Sequence, residues 1–207
     1  MFSDRYGLTD AVLQGRKTMT RRIIKQLLNV ENPDISDWGL KDGGKAMITL
    51  YEGGRPTTDI FPMYQPGEVV AVAQSYKDLK LSYIPHIDEP NFKTITKHAP
   101  QWGNPRRMKG WNNKMYVRTD LMPHQIRITD IKVERLQDIT EEDCLREGLI
   151  KRTDGFIPEE YFYTYCGADV DFAYVKTAFE DLIDKVSGKG TWERNPYVFA
   201  YSFELIK

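Results

Sequence analysis

The stretch GRKTMTRR, residues 15–22, places one glycine, two threonines and four cations in eight positions. A solvated helix face usually mixes charges of both signs, and an amphipathic strand usually alternates polar with apolar residues. This segment does neither. Lys17 and Thr20 would share a face in a helical or tight turn, but they would point to opposite faces of an extended strand.

A hydroxyl with a lysine beside it can act as an activated nucleophile, because the lysine can serve as the general base. Thr20 would attack, and Lys17 would accept its proton if burial or nearby cations lower the lysine pKa. Arg16, Arg21 and Arg22 supply those cations, and arginine can also bind a phosphate with two hydrogen bonds. The alternative interpretation is a solvated basic surface, because such clusters are common and K-x-x-T recurs by chance.

Composition and length indicate the class of protein. A chain of 207 residues, 41% hydrophobic and 12% aromatic, can form one sizeable core, and we predict a single domain. No run approaches the ~18 apolar residues of a membrane span, and the first ten residues lack the pattern of a secretion signal. We therefore expect a soluble cytoplasmic protein that does not interact with membranes, and the oligomeric state stays open.

The cysteines and histidines do not form a recognisable site. Cys144 and Cys166 are not part of a CxxC pair, and the three histidines lie apart without metal-ligand spacing. The sequence also lacks a glycine-rich phosphate loop. We predict no disulfide framework, no metal site and no cofactor.

The charges are segregated along the chain although the formal net charge is −1. Residues 11–30 contain five Lys or Arg and no acid, and residues 91–119 contain seven and again no acid. Residues 129–184 instead hold fifteen Asp or Glu against six Lys or Arg. A nearly neutral protein can therefore carry a basic face that attracts phosphate.

The second basic run interleaves cations with aromatic residues. Its aromatic residues are Phe92, Trp102, Trp111 and Tyr116. Aromatic stacking on bases, combined with cations for the backbone, is the chemistry of single-stranded nucleic-acid binding. The candidate binding residues in this run are Arg106, Arg107, Trp111 and Arg118. The alternative is an exposed loop whose tryptophans attach it to the core.

Glu147 is the second candidate for chemistry. It follows Cys144 by three residues on a predicted helix that has Thr140 as its N-cap and Gly148 as its stop. This spacing places the carboxylate beside the buried stripe, where it should have a raised pKa or pair with a cation such as Lys17. The alternative is a surface glutamate near a helix end.

The predicted elements indicate the fold class. QPGEVVAVAQSY (65–76) predicts a turn and a central strand, HQIRITDIKVERL (124–136) a strand with a β-bulge at Thr129-Asp130, and NPYVFAYSFELI (195–206) a strand with one aromatic face. We predict an α+β fold with a bent or closed sheet, flanking helices and two irregular insertions at about 29–62 and 78–113. Within the first insertion, KAMITLY and TTDIF flank EGGRP as a hairpin.

Together these segments resemble the ASCH domain, a small β-barrel of the PUA-like superfamily. GRKTMTRR fits the family signature G-x-K-x-x-T/E-x-R with Gly15, Lys17, Thr20 and Arg22. QPGEVVAV, ERLQDITEEDCLREGL and NPYVFAYSFELI are similar to the strand entry, the helix and the closing strand of the family, in the same order. The resemblance implies a PUA-like domain over residues 1–207 with the two insertions added to it.

The resemblance also implies a reaction. One branch of the family removes acetyl from the exocyclic amine of acetylcytidine, using the lysine and threonine of the K-x-x-T motif and a glutamate that ends the later helix. The matching positions are Lys17, Thr20 and Glu147. Thr20 would attack the amide carbonyl, Lys17 would assist proton transfer, and Glu147 would orient Lys17 or the substrate amine.

Three functions are therefore open. The first is an ASCH-domain protein that binds a nucleoside or RNA in a basic cleft lined by Lys17, Thr20, Arg22 and Glu147, and that could hydrolyse an acylated base. The second is a non-catalytic nucleic-acid-binding module in which Lys17 and the arginines hold phosphate. The third is an interaction protein whose insertions form the working surface.

Overall fold

The computed structural model describes residues 2–30, 33, 35, 37–40, 46–52, 54–79, 109–153 and 161–206. Within these residues the protein combines few helices with a curled antiparallel sheet, so the predicted α+β class with a bent sheet is confirmed. The PUA-like assignment stays a prediction. The chain divides into a larger compact unit, Ser3–Val69 with Arg127–Leu205, and a smaller one, Val70–Ile126 with Met1–Phe2 and Ile206–Lys207.

Four α-helices and nine strands lie within the described residues. The helices are α1 (Leu8–Leu13), α2 (Glu141–Arg146), α3 (Val175–Ser187) and α4 (Thr191–Arg194). The strands are β1 (Met19–Ile23), β2 (Trp38–Leu40), β3 (Ala46–Glu52), β4 (Arg55–Ile60), β5 (Val69–Ala71), β6 (Gln125–Arg135), β7 (Ile150–Arg152), β8 (Phe162–Thr164) and β9 (Tyr197–Ile206). The opening motif therefore ends in strand β1.

The main sheet has the strand order β1-β9-β6-β5. Strand β1 pairs antiparallel with β9, so that residues near the two ends of the sequence are neighbours. Strand β5 lies at the end of this order, which corrects the prediction of a central strand. An apolar run indicates burial but not the number of paired neighbours, and the first residue of β5, Val69, is 50% exposed.

The first predicted insertion is ordered into strands. The hairpin expected from KAMITLY and TTDIF is present, because β3 pairs antiparallel with β4, and β2 pairs with the other edge of β3. Strand β2 is the part of this segment that the sequence does not indicate. The Asn, Asp, Gly and Pro residues around it are typical of loops, whereas the strand is held by its pairing with β3. The second predicted insertion lies mostly outside the described residues.

Helix α2 begins and ends at the residues that the sequence indicates. The hydroxyl of Thr140 accepts a hydrogen bond from the backbone N–H of Asp143 at 3.1 Å, which is the predicted N-cap. Gly148 follows the helix with a φ of 106°, a conformation that favours glycine. These two local signals place Glu147 at the C-cap position.

Strand β6 shows the predicted change of phase. Ile126 and Ile128 are buried, the pair Thr129 and Asp130 is exposed, and burial resumes at Ile131. This pattern confirms that the inward-facing register shifts at Thr129-Asp130, whereas the β-bulge itself stays a prediction.

Each compact unit has buried apolar residues of its own. In the larger unit, α3 buries one side, and its buried residues are Val175, Ala178, Phe179, Leu182 and Ile183. In the smaller unit the core cluster consists of Tyr76, Trp111, Leu121 and Met122. Within the described part of the chain, none of the helices is both long and apolar enough to cross a membrane.

Candidate functional site

Lys17 is buried and bound to Glu147. Its Nζ donates to Oε2 of Glu147 at 2.5 Å and to the main-chain carbonyl of the same residue at 2.7 Å. The next residue, Gly148, packs close to Lys17, since a Cβ added there would lie 3.4 Å from the Cβ atoms of both Lys17 and Ala11. The pairing of Glu147 with Lys17, which the sequence suggested, is therefore confirmed.

Arg21 makes a second set of buried contacts in the same region. Its side chain is 1% exposed and donates to Glu134 at 2.8 Å, to Asp143 at 3.1 Å and to Glu147 at 3.2 Å. Three carboxylates supply the compensation that a buried guanidinium requires. The sequence predicts Arg21 as a ligand contact, whereas the structure places it inside this network instead of at the surface.

Two partly exposed cations complete the network. Nζ of Lys132 lies 3.0 Å from Glu134 and 2.8 Å from Asp143, and Arg146 donates to Asp143 at 3.1 Å. We call the following residues the ion-pair cluster: Lys17, Arg21, Lys132, Glu134, Asp143, Arg146 and Glu147. Lys17 and Arg21 of the basic run at residues 11–30 therefore pair here with carboxylates of the acid-rich segment at 129–184.

Burial and neighbouring charges alter proton affinities in the ion-pair cluster. Burial lowers the pKa of Lys17 below its ordinary value of 10.5, despite the opposing attraction of Glu147. Burial acts to raise the pKa of Asp143, but the hydrogen bond and charge of Lys132, with those of Arg21, hold that pKa below 3.8. A lysine with a lowered pKa suits general-base chemistry, although structural ion pairs also shift pKa values.

Thr20 and Arg22 lie on the other face of β1. Successive side chains of a strand point to opposite faces, and Arg21 faces the ion-pair cluster, where it also contacts the sulfur of Met19 at 3.2 Å. Thr20 is half-buried and Arg22 is exposed. The turn that would bring Lys17 beside Thr20 does not form, because residues 16–18 make no turn and strand β1 begins at Met19.

Four aromatic rings follow one another in the larger unit. Ring centroids are 5.8 Å apart between Trp38 and Phe199, 6.2 Å between Phe199 and Tyr201, and 5.9 Å between Tyr201 and Tyr64. We call these four residues the aromatic row. Phe199 and Tyr201 are buried, whereas Trp38 and Tyr64 are half-buried.

The aromatic row lies on the same face as Thr20 and Arg22. In the ladder between β1 and β9, Thr20 is opposite Tyr201 and Arg22 is opposite Phe199. Residues directly opposite each other in an antiparallel pair share a face. A hydroxyl, an exposed guanidinium and aromatic rings therefore occur together on this side of the sheet.

Sequence reasoning missed the outer rings of the aromatic row. The alternation in NPYVFAYSFELI predicted an aromatic face on β9, which is the signal that could have pointed to the site. Trp38 and Tyr64 reach that face from distant parts of the sequence. The position of Tyr64 is supported by its neighbour Met63, whose backbone N–H donates to the hydroxyl of Tyr201 at 3.0 Å.

Two further candidate arginines are exposed. Arg16 donates to the side chain of Gln14 at 3.0 Å and to the carbonyl of Gly148 at 3.5 Å. Arg118, in the smaller unit, pairs with Asp120 at 2.6 Å. Exposed pairs of this kind leave the cation accessible to solvent, so neither contact prevents these arginines from binding an anion.

The remaining candidates belong to the second basic run. Trp111 is 7% exposed and packs in the core of the smaller unit with Tyr76 and Met122. This packing matches the alternative that a tryptophan attaches its loop to the core. Arg106 and Arg107 lie outside the described residues.

Comparisons of the chain with protein-family models, with curated proteins and with solved structures returned no match. The resemblance to the ASCH domain therefore stays a prediction from motifs. Where the structure is described, no group of three or more His, Cys, Asp or Glu residues is arranged to hold a metal ion.

Proposed function

We propose that the chain binds a nucleoside or RNA on the face of β1 that carries Thr20 and Arg22. The observation that supports this proposal is the aromatic row beside these two residues. Half-buried rings offer flat surfaces on which nucleobases stack, and this stacking tolerates every base. The Thr20 hydroxyl can donate or accept at a base edge, and the Arg22 guanidinium can bind phosphate bidentately.

In this proposal the ion-pair cluster lies on the face of β1 opposite to the binding residues and holds the strand in place. Arg21 lies between Thr20 and Arg22 in sequence, and its ion pairs attach β1 to β6 and to α2. A binding constellation is most precise when it is built on a rigid element whose other side is well packed. The cluster therefore has a structural role that is independent of catalysis.

The test is a binding titration with a fluorescently labelled single-stranded RNA of about eight nucleotides, a length within the range that stacking modules bind. We expect Tyr64→Ala to weaken binding by roughly 5- to 100-fold, the equivalent of one stacked base, and Tyr64→Phe to keep it. Arg22→Gln should reduce the salt dependence of binding by about one phosphate contact.

Two residues of the larger unit, Tyr174 and Arg127, serve as matched controls for Tyr64 and Arg22. Tyr174 is a tyrosine with 74% exposure, and Arg127 is an arginine with a half-exposed side chain that pairs with Glu204. Tyr174→Ala and Arg127→Gln should bind RNA as the wild type does. The proposal fails if the wild type binds neither RNA nor nucleosides, or if Tyr64→Ala binds as tightly as Tyr174→Ala.

A second candidate function is hydrolysis of an acylated cytidine. One observation favours it, namely that Lys17 is buried, paired with Glu147 and has a lowered pKa. In this function Lys17 would act as general base and Thr20 as nucleophile. The extended strand is the obstacle, because it directs Thr20 away from the face that Arg21 occupies.

Hydrolysis is tested by incubating the protein with acetylcytidine and separating the products by chromatography. Thr20→Val is the decisive variant, because it removes the hydroxyl of a half-buried residue with little change in volume. Release of cytidine by the wild type and by Lys25→Ala, an exposed lysine on the same segment, but not by Thr20→Val, would support catalysis. Equal release by Thr20→Val would show that Thr20 is not the nucleophile, and no release by the wild type would leave binding as the function.

A further inference from the structure

The ion-pair cluster carries more positive than negative charge. Its four cations and three carboxylates leave one formal positive charge in excess. The side chains of Glu134, Asp143 and Glu147 are at most 12% exposed, whereas those of Lys132 and Arg146 are 39% and 36% exposed. The part of the cluster that reaches solvent is therefore positive.

Arg146 connects this exposed side of the cluster to two hydroxyls. Its Nη1 donates to Oδ1 of Asp143 at 3.1 Å, its Nη2 to the hydroxyl of Ser202 at 3.0 Å, and its Nε to the hydroxyl of Thr18 at 3.4 Å. The bond to Thr18 is long for a hydrogen bond, so a better acceptor can replace it. A guanidinium has five N–H donors, and two of those of Arg146 have no acceptor among the described residues.

The two hydroxyls lie on the same side of the main sheet. Ser202 is opposite Met19 in the ladder between β1 and β9, and therefore shares the face of Arg21. Thr18 immediately precedes β1, and its N–H donates to the carbonyl of Arg146 at 2.9 Å. The carbonyl of Thr18 accepts from the N–H of Phe203 at 2.9 Å, so the backbone beside both hydroxyls is fixed.

Each hydroxyl keeps a proton to donate. Thr18 and Ser202 accept their bonds from Arg146, and within the described part of the chain neither hydroxyl donates to an acceptor. Both residues are half-buried, at the border of core and solvent. Two O–H donors and two guanidinium N–H donors therefore occur together without a protein acceptor.

We propose that Arg146, Thr18 and Ser202 bind a phosphate group on the face of the main sheet opposite to Thr20 and Arg22. A set made only of donors and carrying a positive charge requires an anionic acceptor. Phosphate presents several acceptor oxygens, and arginine can bind two of them at once. The site lies within the larger unit and does not depend on RNA binding at the other face.

Lys132 adds to the attraction for an anion. It binds Oδ2 of Asp143 at 2.8 Å, while Arg146 binds Oδ1 of the same carboxylate, so the two exposed cations are neighbours. Arg21 also donates to Asp143, at 3.1 Å. The negative charge of Asp143 is therefore shared by three cations and opposes a bound phosphate only weakly.

The experiment is an NMR titration of the folded chain with sodium phosphate, in which sodium chloride is reduced to keep the ionic strength constant. We expect the backbone amide signals of Thr18, Arg146 and Ser202 to shift with a common dissociation constant. Arg146→Gln should weaken phosphate binding by roughly 10- to 100-fold, because hydrogen bonds to a charged group are lost. Ser202→Ala should weaken it by roughly 3- to 10-fold.

Two variants serve as matched controls. Arg127 has a side chain that is 50% exposed and pairs with Glu204, and Ser187 is an exposed serine at the end of α3. Arg127→Gln and Ser187→Ala should bind phosphate as the wild type does. The proposal is overturned if the three amides do not shift in the wild type, or if Arg146→Gln binds as tightly as Arg127→Gln.

Ser202→Ala decides the question if Arg146→Gln does not fold, because it leaves every ion pair of the cluster in place. Equal phosphate affinity in Ser202→Ala and Ser187→Ala would then overturn the proposal. Methyl phosphate and dimethyl phosphate distinguish the sources of the group. Binding of methyl phosphate alone would assign the site to a terminal phosphate, and binding of both would extend it to the diester of a nucleic-acid backbone.

Discussion

Lys17 is held by both the side chain and the main chain of Glu147, the residue at which helix α2 ends. The two side chains are only 2% and 7% exposed, so the Lys17 charge requires the carboxylate of Glu147, which also accepts from Arg21 at 3.2 Å. Strand β1 and helix α2 are therefore joined at a point where water cannot replace a lost partner.

Removing one partner of this pair should be costly. We expect Glu147→Gln to lower the free energy of unfolding by about 3 kcal/mol, because the Lys17 ammonium stays buried without its counter-charge. The matched control is Glu204→Gln, which breaks an exposed pair with Arg127 and should cost less than about 1 kcal/mol. Urea denaturation measures both, and equal losses would contradict the prediction.

The ion-pair cluster should make stability depend on acid pH through Asp143. Its pKa lies below 3.8 in the folded protein, so between the two values the unfolded state binds more protons and the free energy of unfolding rises with pH. The contribution is complete above about pH 5 and is lost as the pH falls below 3.8 through the lowered pKa. The stability difference between wild type and Asp143→Asn should therefore shrink in thermal scans taken below pH 4; a constant difference would refute this.

The contribution of the N-cap of helix α2 to the free energy of unfolding should be measurable by itself. Thr140→Ala removes the acceptor of the bond from the N–H of Asp143, and we expect a loss of about 1 kcal/mol. Thr140→Ser keeps the acceptor and should recover most of this loss. Chemical denaturation of the three proteins decides the question, and a neutral alanine variant would show that the cap does not stabilise α2.

The two cysteines should differ sharply in reactivity. Burial raises the pKa of Cys144 to about 12, and its side chain is inaccessible, whereas Cys166 is exposed. Because the thiolate is the reactive form, native protein treated with iodoacetamide should gain one label, on Cys166. Mass spectrometry of the digested protein locates the label. Early labelling of Cys144 under native conditions would indicate that α2 opens readily.

The sequence predicts where helix α2 begins and ends. It does not predict on which face of the sheet the side chains of Lys17 and Thr20 lie. Thr140 and Gly148 act on their own helix, so the position of Glu147 followed from a short segment. The faces of Lys17 and Thr20 depend on whether the opening motif is turn or strand. That choice is made by pairing with β9, a partner far along the chain.

The charge pattern predicts part of the surface. The cations at residues 11–30 indicate a phosphate-binding surface, but the sequence does not indicate which of them pair with the acid-rich segment at 129–184. In the structure Arg21 is buried and pairs with Glu134, Asp143 and Glu147, whereas the residue Arg22 is exposed to solvent. Which of two adjacent arginines faces outward is decided by alternation along a strand, and composition carries no information on it.

The pairing of β1 with β9 also has a consequence for the order of folding. Met19 lies opposite Ser202, so an early strand of the sequence has its neighbour in a late one. Contacts of such long range close slowly, because loop entropy is lost before they form. During synthesis on the ribosome, the edge of β1 that pairs with β9 stays unpaired until β9 has emerged. We therefore expect nascent chains that end before β9 to need chaperones and to aggregate readily.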